Sequence, residues 1–112
     1  MATIKSYTDL EQSKKLAEIL PLESADMKIL PFNEREYRIV PINDISVCGI
    51  EDEIHAWSLA ALLDYISANF RTDIKYLDNY WELDCRVRVT YSKELVDACY
   101  EMIVKLHDLK LL

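Results

Sequence analysis

Glycine occurs once in 112 residues, at Gly49. A phosphate-binding loop needs several glycines so that the backbone can close on the anion, so neither a P-loop nor a dinucleotide fingerprint can be built from this chain. The zinc-protease helix and the nucleophile elbow are missing as well. Proline is sparse, at Pro21, Pro31 and Pro41, and with one glycine it leaves no composition for a flexible linker. Cys48, Cys85 and Cys99 are odd in number and form no C-x₂₋₄-C pair, and His55 and His107 stand far from them in sequence. No zinc motif can be drawn from that spacing, and the three thiols read as small buried hydrophobes in a reducing compartment. No apolar run approaches the ~18 residues of a membrane span, and MATIKSYTDLEQSKK lacks the apolar centre of a secretory signal. The expectation is a cytoplasmic protein that meets no membrane.

Positive charge is also in short supply: 13 Lys and Arg stand against 20 Asp and Glu, for a net charge of −7. Affinity for a phosphate backbone comes from clustered cations releasing counterions, so direct nucleic-acid binding is not expected. What the chain has is the composition of a globular domain, 51% apolar and 29% charged, in a length that suits one domain spanning residues 1–112.

The densest apolar stretch is Trp57 to Phe70, WSLAALLDYISANF. Leu59, Leu62, Leu63, Ile66 and Phe70 recur at helical spacing, a second row of Trp57, Ala61, Tyr65 and Ala68 lies beside them, and Ser58 is placed to cap the start. This reads as a central helix covered on more than one side. Upstream, Thr8 to Glu11 fits a capping box for a helix that begins at Asp9, buries Leu10, Ser13, Leu16, Ala17 and Leu20, and ends at Pro21. Between the two, MKIL, YRIV and ISVCGI are short β-prone pieces, and Gly49 with Glu51, Asp52 and Glu53 marks a turn into the central helix.

Downstream, Trp81, Leu83, Cys85, Val87, Val89 and Tyr91 alternate with polar residues, which reads as one strand with a core face and a wet face. Asp78-Asn79 joins it to Ile74–Leu77 as a hairpin. Ser92 then opens a last helix with Leu95, Cys99, Met102, Leu106 and Leu109 as its inner stripe. The fold class expected is α+β: three helices packed on a small, mainly antiparallel sheet, in the order α-β-β-α-β-β-α.

The segments SYTDLEQSKKLAEILPLESADM, AWSLAALL and LVDACYEMIVKLHDLKLL together resemble a group of short, uncharacterised bacterial proteins of gut anaerobes and their mobile elements or prophages. That resemblance implies a shared fold and a setting. It hands over no activity, ligand or site residue.

Two functional readings follow. The first is a non-catalytic interaction or accessory module without a cofactor or metal, acting on a protein partner or on its own copy. Its candidate interface residues are Tyr76, Tyr80, Tyr100, Leu111 and Leu112, because tyrosine is enriched at interfaces and an apolar chain end docks rather than hangs in water. A variant, an acidic decoy for a nucleic-acid-binding protein, fits less well because acidic and basic residues are interspersed. The second reading is a small hydrolase or transferase in which His55 works with Cys48, Asp64 or one of Glu51, Asp52 and Glu53, since a neighbouring imidazolium and a helix N-terminus lower a thiol's pKa.

Overall fold

The computed structural model describes residues 5–31, 37–43 and 54–112. Helix α1 (Leu10–Ile19) is followed by a 3₁₀ turn at Leu22–Ser24, strands β1 (Met27–Pro31), β2 (Tyr37–Pro41) and β3 (Ile54–Ala56), and helix α2 (Leu59–Asn69). Strands β4 (Asp73–Leu77), β5 (Tyr80–Asp84) and β6 (Val89–Ser92) then lead into helix α3 (Leu95–Asp108). The expected α+β order is kept, with β3 and β6 added, and the strands form two antiparallel three-stranded sheets, β2-β1-β3 and β4-β5-β6.

The start of α1 lies one residue later than the spacing suggests. The Asp9 carboxylate accepts from the Gln12 N–H at 2.8 Å, and the Gln12 side chain accepts from the Asp9 N–H at 3.1 Å, so the capping box is Asp9/Gln12. Thr8 is engaged elsewhere. Fully buried, its hydroxyl meets Ser13 Oγ at 2.7 Å and accepts from the Trp57 N–H at 3.1 Å, while its own N–H donates to Trp57 O at 3.0 Å. A buried backbone donor left unpaired is costly, and aspartate caps as well as threonine, so the exchange satisfies both sites. Ala17, expected on the inner face of α1, is exposed.

Pro31 and Pro41 end β1 and β2, where a missing ladder donor does least harm. ISVCGI and the Gly49 turn lie outside the described residues, and β3 forms just beyond them, pairing Ile54, His55 and Ala56 with Ile29, Lys28 and Met27.

Ser58 caps α2 as its position suggests: Oγ accepts from the Ala61 N–H at 3.2 Å. Both oxygens of Asp26 hold Ser58, one at the backbone N–H (2.8 Å) and one at the hydroxyl. Leu62 and Ile66 are fully buried, yet the densest element is α3, which buries Leu95, Val96, Ala98, Cys99, Met102, Ile103 and Leu106 and packs on α1, α2, β5 and β6. Its amphipathic stripe is wide enough to meet both layers at once.

The long alternating strand is not continuous. It folds back after Cys85, whose N–H donates to Arg88 O at 3.1 Å, and Val87, Val89 and Tyr91 are exposed instead of lying on the core face. Arg86 has φ 70° and is held by its N–H on Asp84 Oδ1 at 2.8 Å. Positive φ at the first central residue alone is the sign pattern of a type II′ turn, a place usually taken by glycine. Since the left-handed region costs a non-glycine residue roughly 1–2 kcal/mol, part of it offset by glycine's larger unfolded-state entropy, Arg86→Gly is expected to raise stability by about 0.5–1 kcal/mol. Urea titration should show a higher midpoint at unchanged slope; a lower midpoint would show that the Arg86 side chain itself supports the turn.

The first turn does match its sequence: Asp78 and Asn79 have φ 48° and 73°, the two left-handed residues of a type I′ hairpin. At the far end of α3, Lys110 (φ 61°) closes a Schellman motif, with the Leu111 N–H on Leu106 O at 2.9 Å and the Lys110 N–H on His107 O at 2.9 Å.

Candidate functional site

Helix α3 covers β5 and β6, while every residue of β4 is exposed. The sheet order places β4 at the edge opposite β6, and because α3 packs on β5 and β6 it does not reach β4, whose apolar residues go uncovered on either face. The cross-strand register assigns the two faces: Ile74 and Tyr76 share a side with Leu83, Trp81 and Thr90, whereas Asp73, Lys75 and Leu77 share the other with Asp84, Glu82, Tyr80, Val89 and Tyr91. On the first side Leu83 and Thr90 are buried under α3, but Ile74 and Tyr76 project past it at 40% and 56% exposure. The Tyr76 ring lies against Trp81, centroids 4.8 Å apart and tilted by 51°, so the exposed tyrosine continues an aromatic contact into the core.

On the second side Leu77 (55%), Tyr80 (47%) and Tyr91 are open to solvent among charged neighbours. A hydrogen bond to the Glu82 carboxylate and its charge hold the Tyr91 phenol above its ordinary value, with smaller contributions from burial and Asp84. This hairpin is the largest concentration of exposed apolar side chains among the described residues, and it carries Tyr76 and Tyr80 of the residues marked out from sequence. Ile74, Leu77, Val89 and Tyr91 were missed there, because strict alternation assigns faces but says nothing of which strand is at the edge.

The other candidate interface residues are placed differently. Tyr100 lies on α3, half-buried and packed on the core, its phenol raised by burial and by the charges of Asp9, Glu101 and Glu11. Leu112 packs against the core and Leu111 is exposed.

His55 stands on β3 directly opposite Lys28, so its cross-strand neighbour is a base and not a carboxylate. Cys48, Glu51, Asp52 and Glu53 lie outside the described residues. Asp64 lines an open groove of about 520 Å³ with Glu23, Asp26 and Tyr65, and His55 is not part of its wall. The Asp26 carboxylate there is already committed to Ser58 through both oxygens. Cys85 and Cys99 are buried and unpaired, and burial pushes the Cys99 thiol up to about 12, the opposite of what a thiolate nucleophile needs. Among the described residues no three His, Cys, Asp or Glu side chains gather as a metal site, and no helix is long and apolar enough to cross a membrane.

Comparison of the chain with protein-family models, with curated proteins and with solved structures yields no match.

Proposed function

We propose that the protein is a non-catalytic interaction module that presents the β4–β5 hairpin to a protein partner or to a second copy of itself. The observation that supports this is β4, a strand exposed along its whole length whose Ile74, Tyr76 and Leu77 stand in water beside Tyr80. Ile74 and Tyr76 lie on one face and Leu77 and Tyr80 on the other, so the exposed apolar side chains gather along one strand edge, and such clusters rimmed by charge are characteristic of binding sites, where tyrosine supplies much of the energy. A setting in a mobile element or prophage belongs to the same proposal on the strength of the sequence resemblance, and a cytoplasmic location belongs to it from the sequence, whose three cysteines form no close pair.

The test is to weigh the untagged protein by light scattering and to recover what a tagged copy retains in its native host, each with a Tyr76→Ser/Tyr80→Ser variant beside it. Both tyrosines are exposed, so the variant should keep its far-UV spectrum. An assembly or a specific companion that is lost in the variant is the expected result. A monomer that retains nothing, in both forms, would overturn the reading.

A further inference from the structure

The open edge of β4 is specific about what it can pair with. Leu77 and Tyr80 close a two-residue type I′ turn and so exchange both backbone hydrogen bonds. The alternation of an antiparallel ladder then turns the backbone groups of Asp73, Lys75 and Leu77 toward β5 and those of Ile74 and Tyr76 outward. Among the described residues no strand meets them there.

Charge within the hairpin is unbalanced along that edge. Lys75 faces Glu82 across the ladder, but Asp73 faces Asp84, two carboxylates directly opposite, which is an unfavourable cross-strand pair. The Asp84 carboxylate has the Arg86 N–H at 2.8 Å, whereas Asp73 takes part in no ion pair among the described residues. A cation approaching from the open side of β4 would balance it.

We infer that β4 pairs with β4 of a second copy of this chain, antiparallel and about a two-fold axis at Ile74, joining two three-stranded sheets into one of six strands. This rests on the interaction reading above and names the partner. A two-fold perpendicular to the sheet keeps inner residues opposite inner ones and uses only the outward-turned residues as hydrogen-bonded pairs, which leaves two central registers. With Ile74 opposite Ile74 of the second copy, each Asp73 lies opposite a Lys75, in the pairs that form no backbone hydrogen bonds and where side chains come closest. With Lys75 opposite Lys75, two ammonium groups meet at the axis and each Asp73 is left facing Leu77. Charge thus selects the first register, and the lysine that bars indiscriminate pairing at an exposed edge becomes the residue that sets it. On the inner face the same register joins the two Ile74 side chains, flanked by the two Tyr76 and Trp81 pairs, into one continuous apolar strip.

The experiment uses the full chain with Cys48→Ser, since Cys85 and Cys99 are buried. Ile74→Cys should form an intermolecular disulfide under mild oxidation, because a hydrogen-bonded antiparallel pair sets its Cα atoms about 5.5 Å apart, within the span of a disulfide. Lys75→Cys should not. Without added cysteines, Lys75→Asp should weaken dimerisation by about tenfold or more, read by light scattering over a dilution series, and Asp73→Lys/Lys75→Asp should restore it. Crosslinking at Lys75→Cys alone, or a dimer indifferent to both charge changes, would overturn the register while leaving an interaction module. A monomer that retains another protein through the hairpin would overturn self-pairing and leave the module standing. A monomer that retains nothing would remove both.

Discussion

Replacing Trp57 with alanine should lower the unfolding free energy by about 3–5 kcal/mol, the range for aromatic-to-alanine truncation in a packed core. Against a total of roughly 5–15 kcal/mol for an ordinary domain, that is between about a fifth of the stability and the whole of it. Three connections meet at this residue. Its side chain is fully buried, its indole N–H donates to Ser24 Oγ at 3.0 Å, and its backbone is bonded to Thr8 through both N–H and C=O. The backbone bonds survive truncation, so the loss isolates the ring. Trp57→Phe, which keeps most of the volume and gives up the indole bond, should cost much less, about 1–2 kcal/mol. Urea titrations of the two variants separate these contributions, and equal losses would mean that the hydrogen bond, not the packing, dominates.

Alkaline pH should weaken the fold through Cys99. Its thiol holds its proton up to about 12 in the folded state against an ordinary 9.0, because a buried thiolate would be desolvated. The folded state therefore binds the proton that the unfolded state releases, and this stabilisation is complete below pH 9 and is lost as pH rises toward 12. Each pH unit in that window costs on the order of 1 kcal/mol, so the loss between pH 9 and pH 11 is on the order of 2 kcal/mol. Lys5, Tyr91 and Tyr100 also carry raised values, so each acts in the same direction from about pH 10 upward. For Lys5, burial alone would lower the value, but hydrogen bonds to Asp97 and Asp9 outweigh it. Unfolding titrations at pH 8, 9, 10 and 11 should give a shallower alkaline decline for Cys99→Ala than for the parent, whatever the offset between them at neutral pH. Parallel declines would show that water reaches the thiol without unfolding.

The helices were legible from sequence because each carries its own period; of the expected caps Ser58 holds α2, whereas Asp9 with Gln12 replaces Thr8 with Glu11 on α1, and α3 begins at Leu95 without a side-chain cap because Ser92 still belongs to β6. The second half of the sheet was less so. From Trp81 to Tyr91 the alternation runs without a break, and the reversal at Cys85–Arg88 sits on an arginine in a conformation that glycine usually announces. With a single glycine in the chain, left-handed positions fall to Asp78, Asn79, Arg86 and Lys110, of which only the Asp-Asn pair is a recognisable turn signal. The candidate interface was half visible for a related reason. Tyr76 and Tyr80 could be picked out by residue type, but their exposure depends on β4 being the strand that α3 does not reach, and that is a property of the assembled layers.

The ties between the beginning of α1 and the beginning of α3 bear on how the chain folds as it is made. Lys5 Nζ reaches Asp97 at 2.6 Å and Asp9 at 3.2 Å, the Lys5 N–H reaches Glu94 at 3.1 Å, and the Gln12 side chain reaches Asp97 at 2.8 Å. The bonds to Glu94 and Asp97 close loops of 85 to 92 residues. The apolar face of α2 finds its cover in residues 95–106, and that of α1 divides between these residues and β3, so during translation both leave the ribosome well before α3, which completes their burial. At about 5–20 residues per second the nascent chain spends several seconds with those faces exposed. Burial of α2 then waits until α3 has been made, and nascent chains that stop short of residue 95 should be the ones that chaperones hold.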